Sequence, residues 1–294
     1  MQERIKIIDD YNQLLFEIYQ QENLLALSDN HYSYKDIPVL AISNPAVVLS
    51  VKTGLHDYLN EVLHQLNIPN SDKNFSYSES ELCTITADIK YRIGTLYIYH
   101  PYIVKLAESY GFHKGKKHFF YEQTLADARF NREIPVVFES IYKFWQRISD
   151  YLSCFFPEVI LKVKGRTFFH HPFEHIGSKY PQLLPSEHLQ WLLQFSTEEY
   201  PVFNKRRSFF VHSRGYDNEF FGKFLDRARD EEHSMLAMDK ERDDLLDFLK
   251  HQLLNCLEGY AHLMRFLNEM DIQKIGEGGF SYKLFQQQKN VSPI

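Results

Sequence analysis

Apolar residues recur at steps of three and four along most of the chain, the spacing that lines one face of an α-helix. Ile7, Tyr11, Leu14, Ile18 and Leu25 form the first such stripe. Asn44-Pro45, a cap followed by proline at the first helical position, opens a second that runs through Val48, Val51, Leu55, Tyr58, Val62 and Leu66 to a stop near Pro69. A polar linker is expected over residues 67–78. Ser78-x-x-Glu81 has the form of a capping box, which predicts the start of a third helix carrying Leu82, Ile85, Ile89, Ile93 and Leu96. Pro101 lacks the N–H that a helix interior needs and ends or kinks that helix. Residues 91–102 are aromatic and β-branched enough to suit a short strand, but their period favours helix. Residues 111–117, rich in glycine and lysine, read as a loop, and the domain boundary is placed there.

The second half is patterned more strongly. Val137, Ile141, Trp145, Ile148, Leu152 and Phe155 recur at steps of 4, 4, 3, 4 and 3, which predicts a core helix from about Ile134 to Phe156, ended by Pro157. Residues 157–185 read as irregular, followed by a short helix around Leu189 to Phe195. Leu246, Leu249, Leu253, Cys256, Tyr260, Leu263 and Leu267 alternate steps of 3 and 4. So narrow a seam suits bundle or coiled-coil packing and therefore a partner subunit. The expected fold class is all-α: an N-terminal helical extension over 1–117, a helical bundle over 118–270, and a flexible tail over 271–294.

Composition narrows the function classes. The 294 residues carry 33 Lys+Arg against 39 Asp+Glu, a net charge of −6, while 24 Phe, 19 Tyr and 2 Trp supply ample core area. No apolar run approaches the roughly 20 residues that cross a bilayer, so no membrane partner is expected. Met1-Gln2-Glu3-Arg4 leads into an amphipathic stretch without the layout of a secretory signal, and Cys83, Cys154 and Cys256 are odd in number and far apart. Both features point to the cytoplasm. A mildly acidic total argues against wholesale coating of nucleic acid but leaves room for a local basic site.

Four segments invite chemistry. Ile275-Gly-Glu-Gly-Gly-Phe-Ser281 looks like a kinase glycine loop, but 294 − 281 leaves 13 residues, too few for the rest of a kinase site, so it reads as the exit from the last helix. His170, His171, Glu174 and His175 are the densest metal-type cluster, yet Pro172 and Gly177 argue against the helix that would align them, and neither a metal nor a cofactor is expected. Asp226 to Asp247 holds nine acidic and four basic residues and reads as a solvated helix face. Between Pro201 and Tyr216, by contrast, lie four basic residues and no acidic one. Arginine grips phosphate through paired hydrogen bonds, and histidine exchanges protons near neutral pH, so Arg207 and His212 hold the minimum equipment for metal-free phosphodiester cleavage. Asn204, Lys205, Arg206, Ser208 and Arg214 are the candidate phosphate or RNA contacts around them.

Arg207-Ser-Phe-Phe-Val-His212 resembles the R-x4-6-H motif of the HEPN superfamily, small all-α domains found in prokaryotic toxins, antiviral effectors and CRISPR-associated ribonucleases. The resemblance covers roughly residues 118 to 270: an aromatic helix before the motif, an insertion and short helix between, and one or two helices after it. It implies a metal-independent endoribonuclease in which Arg207 and His212 are catalytic, acting in a toxin or defence setting, with RNA or nucleotide as ligand and an antitoxin or regulatory protein as a further partner. Ser208 departs from the Asn, Asp or His that often follows the motif arginine, and Arg214 stands where some such toxins carry a modifiable tyrosine.

Residues five apart on a regular helix are separated by about 500°, or about 140° beyond one full turn, so Arg207 and His212 do not converge on one phosphate if both are helical. Either Arg207 lies just outside a helix start or the site uses two chains. The resemblance implies the second, and with it a homodimer. Two other readings stay open: an HEPN-like module that binds nucleotide, RNA or a protein without cleaving, and an unrelated helical scaffold with a fortuitous motif.

Overall fold

The computed structural model describes residues 10, 13–14, 17–22, 24, 71–119, 123–155, 169–212 and 231–269. They are mostly helical, as the three-four spacing requires. Six helices can be bounded: α1 (Ser71–Tyr99), α2 (Leu125–Phe155), α3 (His170–Lys179), α4 (Glu187–Thr197), α5 (Glu199–His212) and α6 (Glu231–Glu269). Residues 10, 13–14 and 17–21 are also helical. The remaining regular structure is a hairpin of β1 (Tyr110–His113) and β2 (Lys116–Phe119). None of the described helices is long and apolar enough to cross a membrane. The second predicted helix, from Asn44 to Leu66, and the tail glycines lie outside the described residues, as does most of the first stripe.

Several elements correct the sequence reading. Residues 71–78 are helix rather than linker, and Ser78-x-x-Glu81 sits inside α1 rather than at its start. Glu81 accepts the guanidinium of Arg147 on α2, a side-chain pairing that the box pattern cannot anticipate. Residues 91–99 stay helical, and Pro101 falls in a 3-10 turn just after α1, as its missing N–H dictates. The expected loop over 111–117 is the hairpin, with Tyr110 opposite Phe119 and His113 opposite Lys116. Its turn residues Lys114 and Gly115 have φ of 51° and 76°, the left-handed pair that matches strand twist. The boundary expected at 117 falls inside β2.

α2 begins well before Ile134, at a reciprocal cap. Thr124 Oγ1 accepts the Asp127 N–H at 3.2 Å, and Asp127 Oδ2 accepts the Thr124 N–H at 3.0 Å. Helix α3 occupies part of the stretch expected to be irregular. Pro172 is its third residue, where the missing N–H has no intrahelical acceptor in any case, and Phe173 and Ile176 bury its inner face. α4 extends the predicted short helix by two residues at either end, and Ser186 caps it by accepting the Leu189 N–H at 3.2 Å.

The contacts divide the chain into two compact units, each assembled from three stretches: Met1–Ala26, Thr86–Tyr142 and Phe203–Asn255 in the first, Leu27–Ile85, Lys143–Val202 and Cys256–Ile294 in the second. In the first, Phe138 of α2 lies between Phe203, Phe210 and Phe248, with ring centroids 5.8, 5.0 and 6.1 Å away. In the second, Trp145 of α2 stacks on Phe195 at 4.1 Å and meets Phe169 at 4.9 Å. A Cβ on Gly259 of α6 would lie 2.5 Å from Trp145, so only glycine permits that approach. The seam from Leu246 to Leu267 is buried along its length inside the chain itself. It is therefore taken up by intrachain packing and does not offer the partner surface that its spacing suggested.

Candidate functional site

α5 carries the basic segment. It starts at Glu199, so Lys205, Arg206 and Arg207 stand in mid-helix and the alternative of Arg207 just outside a helix start does not apply. Phe203 and Phe210 are buried, and Arg207, four residues after one and three before the other, shares their inward face. Its side chain is only 14% exposed. Nε and Nη2 donate to the same Glu139 oxygen on α2, at 2.8 and 2.7 Å, and the guanidinium lies 3.8 Å above the Tyr142 ring one turn further along. Nη1 makes a long contact of 3.5 Å to Asn204 Oδ1. One edge and one face of Arg207 are thus fixed, and a carboxylate already offsets its charge.

The other candidates on this helix are more open. Lys205 and Ser208 are exposed, and Arg206 is exposed with its guanidinium 4.2 Å over Phe248 of α6. His212 is the last residue of α5, on the same helix as Arg207 and about 140° around its axis. Its side chain lies outside the described residues, as does Arg214 altogether. The structure therefore joins Arg207 to Asn204, Glu139 and Tyr142, and leaves Lys205, Arg206 and Ser208 on the outer surface of the same helix.

The histidine-rich segment is helical after all. His170 and His171 meet edge to face at 4.5 Å, and His170 Nε2 stands 3.8 Å from Glu174. Burial holds the His170 imidazole below its usual pKa. Among the described residues no group of three or more His, Cys, Asp or Glu side chains is arranged to hold a metal.

Two clusters escaped sequence reasoning. In the first unit Asp127 is fully buried and accepts hydrogen bonds from Thr124 Oγ1, the Val104 N–H and Arg242 Nη2, the last at 2.7 Å. Arg242, 1% exposed, also donates to the Val104 carbonyl, and Asp239 accepts the N–H groups of Leu106 and Ala107. The acidic run is thus a solvated face only in part, since it also supplies this buried pair. In the second unit His188 of α4 and His262 of α6 approach Nδ1 to Nδ1 at 3.1 Å. Trp191 stacks flat on His262, 4.6 Å between centroids with planes 6° apart. Burial, with His188 and Arg265 nearby, pushes the His262 imidazole down to about 4.

Comparison with protein-family models, with curated proteins and with solved structures finds no match to this chain.

Proposed function

We propose that the chain is a metal-independent endoribonuclease of HEPN type, working as a homodimer in which α5 of one protomer faces α5 of its partner. The observation that carries this reading is that Arg207 and His212 stand five residues apart on one unbroken helix whose outer surface is basic. Because the two positions diverge by about 140°, one phosphate is reached by both side-chain types only when two copies of the helix contribute and Arg207 turns out from Glu139. His212 takes the proton from a ribose 2′-hydroxyl, whose oxygen attacks the phosphorus. The 5′-oxygen leaves with a proton from the second His212, and a 2′,3′-cyclic phosphate remains. Arg207, with Arg206 and Lys205, stabilises the charge gathering on the phosphate, and Asn204 and Ser208 add neutral hydrogen bonds. The setting is toxin or defence, with an antitoxin or regulatory protein as the controlling partner. With the late seam buried, the dimer contact is assigned to the α5 surface.

A second reading is favoured by Glu139. Its carboxylate already occupies the Arg207 edge that a phosphate would take, which suits a module that binds RNA or nucleotide through the exposed Lys205 and Arg206 without cleaving. Labelled RNA incubated with the protein in EDTA separates the two. Cleavage to a 2′,3′-cyclic phosphate, reduced about 100-fold to 10,000-fold by His212→Ala and not recovered by Arg207→Lys, supports the ribonuclease. Salt-sensitive binding without cleavage, weakened by Arg206→Ala, replaces it with the binding module. Cleavage undiminished in His212→Ala removes the proposed chemistry.

A further inference from the structure

The histidine pair of the second unit offers a device independent of RNA. Two imidazoles whose Nδ1 atoms lie 3.1 Å apart share one hydrogen: one Nδ1 donates it and the other accepts. Among the described residues, Glu187 Oε1 lies 3.7 Å from the outer nitrogen of His188, Arg265 and Glu187 both act on His262, and the uncharged Trp191 ring covers the His262 face. One proton added to the pair leaves the shared hydrogen bond in place and charge-assisted. A second proton changes the situation. Both Nδ1 atoms then carry hydrogen, nothing accepts between them, and two positive charges face each other at contact distance.

We propose that His188 and His262 form an acid-released latch that holds α4 to the C-terminal part of α6 within this unit, closed while the pair carries at most one proton and opened by the second. The first turn of α4 is the part that gives. His188 is the second residue of that helix, where the positive end of the helix dipole opposes a cation, whereas charged His262 keeps a favourable cation–π stack on Trp191. An unfolded histidine takes a proton near 6.5, but His262 in the fold resists it until about 4. The unfolded chain therefore binds more protons in that interval, so the His262 contribution to stability is whole above the upper value and falls as pH drops through the interval.

Both tryptophans of the chain, Trp145 and Trp191, lie in this unit, so indole fluorescence reports on it alone. A charged imidazole on Trp191 quenches that fluorescence, and near-ultraviolet circular dichroism reports the ring packing. In the wild-type protein both signals are expected to change together with a midpoint near pH 4. His188→Asn keeps a neutral amide donor for His262, so quenching moves upward in pH by roughly one unit while the packing signal holds through the wild-type midpoint. His262→Phe keeps a ring on Trp191 and removes the titration, so both changes vanish there. Far-ultraviolet dichroism at pH 7 checks that each variant folds, and if His262→Phe does not, His188→Asn decides. The latch is overturned if packing is lost at the wild-type midpoint in a folded variant. It is also overturned if EDTA shifts the wild-type profile, which would assign the pair to a metal.

Discussion

In the unit that holds Thr86–Tyr142 and Phe203–Asn255, charged side chains tie helix to helix: Arg242 to Asp127, Arg207 to Glu139, and Arg92 to Glu133. In the unit that holds Lys143–Val202, a run of rings joins the helices beside the Arg147–Glu81 pair, from Tyr200 through Phe169, Trp145, Phe195 and Trp191 to His262. Ring packing is tolerant in direction and additive in area. A buried ion pair is neither: its net worth is small while it is complete, and its loss is costly once one partner is gone. The buried pair of one unit and the ring run of the other thus respond differently to a single substitution.

The largest effect follows from breaking the buried pair on one side only. Arg242→Leu leaves the Asp127 carboxylate buried without its cation and is expected to lower stability by about 3–5 kcal/mol, read from urea unfolding. Adding Asp127→Asn to it is expected to recover part of that loss. A single variant as stable as wild type would erase the contrast between the units. Next comes Gly259→Ala, whose methyl group meets Trp145 and which is expected to cost about 1–3 kcal/mol by overpacking, with Trp fluorescence reporting the displaced ring. Ser186→Ala removes the α4 cap for about 1 kcal/mol. Smallest is Arg206→Ala, which gives up a solvent-exposed cation–π contact with Phe248 worth about 0.5–1 kcal/mol while weakening RNA binding. A stability loss from Arg206→Ala as large as that from Arg242→Leu would mean that the two arginines had been assigned the wrong roles.

The same contrast explains what the sequence disclosed. Trp145, Ile148 and Leu152 reveal their helix and their burial, because apolar spacing is a local property and rings pack wherever the stripe faces inward. Asp127 and Arg242 are 115 residues apart, and nothing local separates a buried arginine in a charged run from a solvated one. The Thr124–Asp127 cap went unread, since the helix start was expected near Ile134, and the ion pair has no local signal. At the candidate site, the basic segment was evident from charge, whereas its helix was left open, and Glu139 and Tyr142 as partners of Arg207 depend on which turn of α2 packs on α5. The hairpin was missed because Lys114 adopts a positive φ that is uncommon outside glycine, asparagine and aspartate. His188 and His262, 74 residues apart, carry no shared motif.

The division of helices between the units has a consequence during synthesis. α1, α2, α5 and α6 each contribute residues to both units, and α6 is the last of them to leave the ribosome. A nascent chain that has emerged only as far as α5 therefore displays Phe138 and Trp145 before the α6 residues Phe248 and Gly259 exist to cover them. Translation, at about 5–20 residues per second, keeps those faces open for several seconds, long enough for a chaperone to engage them and for neighbouring nascent chains to aggregate. Among the described residues, both units therefore close only once α6 has been made.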